Sequence, residues 1–314
     1  MDETEWNMLA NFAGKRRVAF MGAACFVSLM VSGCSAVPES VNSAKVDGVA
    51  SGATKGQVLR SSVHLELPIQ EYLFSDADLK TVKQAMRTLA QRCMHRYDVS
   101  YDFGPPAPAL GPRNLMDRRY GLTDEQLART SGYHLGDRDP RTHPVTPPAP
   151  PVGKALTVFS GKERPVEVNG VKVPAHGCAG EAEKKIAGSG RLGSGDLAQD
   201  LNGRSFLATK ADRRVTKVFR AWSECMKGKG FSYPDPLSVM DDKRFQGRTP
   251  VPEEKKVATA DVACKGRANV VGVWFGVETA YQKSLIAKNE SALSAALKAK
   301  ESQLAAAAAV NSTE

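Results

Sequence analysis

The sequence predicts a mainly α-helical domain held by two disulfides, with a small β-hairpin and a long C-terminal helix. Three observations carry this expectation. Apolar residues recur at steps of three and four in several capped segments, the period of a helix buried along one face. Four cysteines, Cys93, Cys178, Cys225 and Cys264, remain once a leader-like N-terminus is set aside, and an even number in an exported chain suits two disulfides. From Ser284 to Val310 the chain is rich in Ala, Lys and Leu, all strong helix formers.

The N-terminus reads as an address. Lys15, Arg16 and Arg17 precede an apolar run from Val18 to Ser32, the basic-then-apolar layout of a secretory signal and short for a membrane span. The run ends in Val31-Ser32-Gly33-Cys34. This segment resembles the lipobox of bacterial lipoproteins, an aliphatic residue and two small residues before an invariant cysteine. The resemblance implies diacylglycerol on the Cys34 thiol and cleavage that makes Cys34 the first mature residue. An ordinary soluble signal peptide is the plainer alternative. Asp2, Glu3 and Glu5 are unusual ahead of a signal and leave Met8 open as the start. Arg16-Arg17 also admits twin-arginine export beside the general secretory route, although Ala19 stands where that motif usually has an apolar aromatic. We therefore divide the chain into a leader (1–33), a flexible tether (34–66), a disulfide-bonded helical domain (67–290) and an Ala-rich helical tail (291–314).

Within the domain, Ser75 caps a helix over Asp76 to Tyr97, with Asp78 in the capping-box position and Leu79, Val82, Met86, Leu89 and Cys93 on one face. Gly104 to Pro112 breaks the pattern, and Thr123 with Gln126 caps a short helix that stops at Gly132. Residues 137–153 are proline-rich and read as an extended, solvated run, either a surface excursion or a hinge between halves. Leu156, Val158, Val166, Val168, Val171 and Val173 alternate around Asn169-Gly170, which predicts the hairpin. A short helix from Cys178 to Ala187 follows. Gly188 to Gly193 formally matches a dinucleotide loop, but a helix precedes it and Gly and Ser follow, so it reads as a linker. Asp212 to Lys227 is the next helix, with Ala211, Val215, Val218, Trp222 and Cys225 inward and Arg213, Lys217 and Arg220 as a basic stripe. After Pro252, Glu253 and Glu254 suit a helix start. A stripe of Ala260, Cys264, Ala268, Val271, Phe275 and Gln282 carries helix through the β-branched stretch Val270 to Val277. We expect that helix to run on into the tail, project beyond the core, and fray or need a partner at its end.

The cysteine neighbourhoods repeat. Cys93-Met94 leads to Ser100-Tyr101 as Cys225-Met226 leads to Ser232-Tyr233, and Cys178-Ala179-Gly180 echoes Cys264-Lys265-Gly266. A degenerate duplication, with halves at about 67–190 and 200–290, pairs Cys93 with Cys178 and Cys225 with Cys264. A crossed pairing is the alternative. Metal is not expected, since no close pair such as C-x2-C is present. No cofactor is expected either.

The chemistry-bearing motifs are few. The chain lacks a nucleophile elbow, a P-loop and a zinc-protease motif. His64, His95, His134, His143 and His176 are scattered and are expected at the surface or in loops. We assign no catalytic residue. The net charge is +9, but export argues against nucleic acid. Arg213, Lys217 and Arg220 could meet an anionic envelope polymer or phospholipid head groups, or simply form a solvated face. The lipobox, Trp222 one turn before Cys225, the run Tyr233-Pro234-Asp235-Pro236, and the segments Tyr120-Gly121-Leu122-Thr123-Asp124 and Gly132-Tyr133-His134 together resemble uncharacterised secreted lipoproteins of actinobacteria. That resemblance implies location and a helical, disulfide-bonded build, and no mechanism. Asp98 stands where the second segment has Gly230, so the first Cys-Met turn is expected to differ. The leading reading is a lipid-anchored binding or scaffold module on the extracytoplasmic face of a bacterial membrane, with a protein partner as a further option. The rival is an envelope-acting hydrolase or transferase, which convergent carboxylates or a His–Asp pair would favour. A transporter-serving binding lipoprotein would usually show βαβ alternation, which is missing.

Overall fold

The computed structural model describes residues 58–106, 108–162, 166–193 and 195–313. All lie in the second of two units, Gly52–Glu314. The leader, Cys34 and the tether up to residue 57 lie outside the described residues. Helix dominates: α1 (Asp76–His95), α2 (Glu125–Ser131), α3 (Gly153–Ser160), α4 (Gly177–Ala187), α5 (Asp196–Lys210), α6 (Arg213–Lys227), α7 (Pro252–Ala268), α8 (Val270–Lys288) and α9 (Glu290–Asn311). Strands β1 (Glu167–Val168) and β2 (Val171–Lys172) pair antiparallel. Asn169 and Gly170 join them with φ of 52° and 74°, the left-handed pair that a two-residue hairpin needs.

Local signals set most boundaries. Ser75 accepts from Asp78 N at 3.1 Å while Asp78 accepts from Ser75 N at 2.9 Å, closing the capping box of α1. The cap of α2 is Asp124, which accepts from Leu127 N at 2.9 Å. Thr123, expected in that role, instead accepts from the backbone of Ser62. The residues of α3 were expected in an alternating strand. Ala155, Val158 and Phe159 also satisfy helical spacing, and all three pack beside the first disulfide. In α6 the buried face is Val215, Phe219, Trp222 and Met226, turned by one residue from the expected set. Helix α5 escaped sequence reading because its buried face is half polar, with Asn202, Ser205 and Thr209 beside Ala198 and Leu201.

The core around α5 to α8 centres on Trp274, fully buried, with Tyr120, Phe206 and Phe219 rings at centroid distances of 4.9, 5.1 and 5.2 Å. A second cluster lies between α1, α4 and α9, where Val82, Ala85, Met86 and Leu89 meet Ala182, Ile186 and Ala307. Disulfides Cys93–Cys178 and Cys225–Cys264 join α1 to α4 and α6 to α7. Closing loops of 85 and 39 residues, each removes about 4 kcal/mol of chain entropy from the unfolded state. The halves are interleaved: α2, from the first, packs on α7, and α9 packs back on α1 and α4.

Two expectations change here. Residues 58–66, placed in the tether, lie against the domain: Ser62 is buried and donates to Met116 O at 2.8 Å, and Leu59 N donates to Asn269 Oδ1 at 3.2 Å. The tail does not project. Asn269, at φ 52° and ψ 42°, and Asn289 break the expected single helix. The resulting α9 folds back: Leu293, Gln303 and Ala307 are buried. Gln303 accepts from Gly193 N at 3.0 Å and donates to Arg191 O at 3.0 Å, and Lys300 Nζ donates to Leu73 O at 2.8 Å. An Ala-rich surface suits this docking because small side chains let helices approach closely.

Substituting Ala307→Arg therefore overfills the α1–α4–α9 cluster and is expected to cost about 2–3 kcal/mol, read as a lowered urea midpoint. An unchanged midpoint would mean that α9 is not docked in solution.

Candidate functional site

The segment Leu115–His134 supplies the interior's polar chemistry. Asp261 and Lys265 sit one turn apart on α7, both buried. Lys265 Nζ donates to Asp261 Oδ2 at 2.7 Å and to Leu122 O at 3.0 Å. Asp261 also accepts from Trp222 Nε1 at 2.9 Å and Tyr133 OH at 3.2 Å. Burial raises the Asp261 carboxyl and lowers the Lys265 ammonium, so each relies on the other's charge. Gly121, at φ +80°, is required beside them: a Cβ there would stand 2.7 Å from Lys265 Nζ.

A second centre surrounds Glu278 on α8, which is fully buried. It accepts from Tyr120 OH at 2.8 Å, Ser205 Oγ at 3.0 Å and both Nε and an η nitrogen of Arg119. Burial and this carboxylate raise the Tyr120 phenol. Gln282 ties the centre to Ser205 and to Ile69 N.

The third centre is His134, which lies in a loop, one of the two expected placements, but is buried there. Its Nδ1 lies 3.1 Å from Asp139 Oδ2 and its Nε2 lies 3.6 Å from Glu254 Oε2. Glu254 also accepts from Tyr133 N at 2.8 Å, and Gly132 leaves room for it. Asp139 accepts a two-armed contact from Arg141, which holds its carboxyl below the usual range. This is a His–Asp pair of the kind that would favour a hydrolase. However, all three side chains are at most 2 % exposed, and none lines either cleft described below.

The larger cleft, about 430 Å³, opens beside this network. Leu115, Phe206, Leu237 and Met240 give it apolar walls, and Asp117, Arg118, Arg119 and Asp241 its charges. Asp235 Oδ1, accepting from Leu237 N and Ser238 N, shapes the turn that brings Met240 and Asp241 there. Burial opposes ionisation of Asp117, but hydrogen bonds from the Arg113 side chain and backbone outweigh it and lower its carboxyl. A smaller cleft, about 350 Å³, lies at the first Cys-Met turn near His95 and Tyr101.

Among the sequence-predicted residues, the four cysteines are paired, and Arg213, Lys217 and Arg220 are exposed along α6. None of the three basic residues is in an ion pair with a described residue. Cys34 lies outside the described residues. Among the described residues no group of three or more His, Cys, Asp or Glu is arranged to hold a metal ion. Sequence reading missed Arg118, Arg119, Asp261, Lys265 and Glu278. The available signal was the i, i+4 pair Asp261 and Lys265 on the stripe that carries Ala260 and Cys264. These features define a helical, disulfide-stapled domain with a buried ionic network and, among the described residues, two clefts of mixed polarity. Comparison of the chain with protein-family models, curated proteins and solved structures returned no match.

Two expectations follow. Asp261→Asn or Lys265→Met alone should cost about 3–5 kcal/mol by leaving one buried charge uncompensated. The double variant Asp261→Leu with Lys265→Met should cost less than the sum of the singles in a denaturation cycle. The second concerns acid. Asp139 has a folded pKa below its unfolded value of about 3.9, so its contribution is complete above that value and is lost as pH falls through the folded one. Urea midpoints should fall below about pH 4, and Asp139→Asn should flatten that limb.

Proposed function

We propose that the protein is a lipid-anchored binding or scaffold module whose helical domain rests on an anionic membrane surface. The observation that supports this reading most is the cationic face of α6. Arg213, Lys217 and Arg220 share one exposed stripe, and Glu224 is the only acid in the helix. The position of the chain's arrival adds weight. Cys225–Cys264 and the Trp222–Asp261 contact show α6 and α7 running parallel. Leu59 is bound to Asn269 just past the end of α7, and the Arg60 guanidinium lies over Gly266. The chain thus arrives at the C-terminal ends of α6 and α7, where Lys227 and Lys229 are also exposed. From Cys34 to Val58 there are 24 peptide steps, a covalent tie that cannot exceed roughly 80 Å. An anchor at Cys34 would therefore make a weak contact between domain and membrane effectively intramolecular.

Each cation near such a surface contributes about 1 kcal/mol, less as salt rises. The hydrolase reading draws on the His134–Asp139 pair, but both side chains are almost fully buried and neither lines the two clefts described, which argues against it.

The test uses the exported chain. Its intact mass should match a start at diacylglyceryl Cys34, and Cys34→Ala should release it to the medium. The Cys34→Ala protein should co-sediment with phosphatidylglycerol-containing vesicles at low salt and not with pure phosphatidylcholine. The triple change Arg213→Gln, Lys217→Gln, Arg220→Gln should weaken that binding roughly a hundredfold at an unchanged melting temperature. An unlipidated start removes the anchor. Vesicle binding indifferent to salt or to the triple change removes the surface contact.

A further inference from the structure

The charges in the larger cleft do not all cancel. Arg119 is neutralised by Glu278, and Asp117 by Arg113. Arg118 is left. Its side chain is 12 % exposed, and no described group accepts from its Nε. An Asp117 oxygen stands 4.0 Å from that nitrogen. The one acceptor the guanidinium does have is neutral, the carbonyl of His134 at 3.0 Å. Burial lowers its pKa, the mark of a desolvated charge without adequate compensation. Its backbone is strained as well, at φ 72°, a conformation that non-glycine residues seldom adopt. A buried, strained and under-compensated arginine in the wall of the larger cleft is costly to keep for packing alone.

We infer that the cleft is a binding site for a small organic monocarboxylate, with the carboxylate on Arg118 and an apolar body against Leu115, Phe206, Leu237 and Met240. A guanidinium suits a carboxylate, and apolar walls with a few placed charges are usual for small-molecule sites. The volume, about 430 Å³, lies within the range of such sites. The exposed Asp241 also lines the cleft, so a dianion such as phosphate meets more repulsion there than a singly charged ligand. This site is independent of the membrane contact, since α6 supplies none of its lining, and it stands whether or not the chain is lipid-anchored.

The probe is phenylacetate, read by calorimetry against the full mature chain, with octanoate as a second apolar monocarboxylate. Phenylacetamide has the same shape without the charge and should bind about tenfold to a hundredfold more weakly. Inorganic phosphate should not compete. Arg118→Gly should abolish the preference for acid over amide. Because glycine relieves the strain at φ 72°, that variant should keep its melting temperature. The acid–amide comparison in the unaltered protein decides the matter even if the variant fails to fold. Equal binding of acid and amide, no binding of either monocarboxylate, competition by phosphate, or an acid preference surviving in folded Arg118→Gly would each overturn the assignment.

Discussion

The buried pair of Asp261 and Lys265 is the constraint on which the rest of the fold depends. One turn of α7 places a cation and an anion where no water reaches them, and neither is tolerable alone. Satisfying them recruits Trp222 from α6, Tyr133 from the loop after α2, and the carbonyl of Leu122. Those partners dictate further geometry. Leu122 can present its carbonyl only if the preceding residue turns tightly beside the ammonium, and that requires glycine at 121. Tyr133 can reach Asp261 only if Gly132 gives way to Glu254. The segment before α2 that carries Gly121 also delivers Arg119 and Tyr120 to Glu278 on α8. Two helices and an irregular segment distant in sequence are thus locked by ionic and hydrogen-bond geometry, where apolar packing alone would allow sliding.

The disulfides show how a repeat can persist in part. After Cys93 and after Cys225 the chain makes the same turn: Val99 N donates to Met94 O at 3.3 Å, and Phe231 N donates to Met226 O at 3.0 Å. Asp98 and Gly230 occupy the same left-handed position, with φ of 51° and 87°. The expected difference between the two turns is therefore absent, because aspartate tolerates this conformation better than most residues. The second cysteines diverge. Cys178 opens α4, so α1 and α4 run antiparallel, whereas Cys264 lies near the end of α7, which runs parallel to α6. The turn is conserved within the molecule, and the helix orientation is not.

Much of the fold was legible in the sequence. Caps, hairpin turn, cysteine pairs and the helical period across Val270 to Val277 all rest on local rules, and local rules are written in adjacent residues. What escaped had long-range causes. The break at Asn269 depends on a left-handed residue whose side chain also binds Leu59, some two hundred residues earlier. The docking of α9 depends on Gln303 finding the backbone at Arg191 and Gly193. The burial of His134 depends on carboxylates from two other segments. A polar residue announces its type in a sequence but not its partner, so the only trace of the ionic interior was the i, i+4 pair Asp261 and Lys265, while most apolar stripes could be read to within a residue.

The segments carrying the family resemblance, Tyr120 to Asp124, Gly132 to His134, and Trp222 with Cys225, turn out to be the parts that satisfy the buried network. Their pattern is explained by architecture: each glycine admits a charged side chain, and each aromatic donates to a carboxylate. They therefore say little about what the protein binds. Functional information resides instead in the charges the architecture leaves over. Most interior charges in this region are matched by an opposite one within hydrogen-bond distance, whereas Arg118, between neutralised Asp117 and neutralised Arg119, has its nearest carboxylate oxygen at 4.0 Å. On the surface the same test separates Arg214, held by Asp212, from its neighbours Arg213, Lys217 and Arg220, which no described carboxylate holds. Unmatched charge is where a folded chain still has interaction energy to give to a partner, and the larger cleft and the outer face of α6 each carry some.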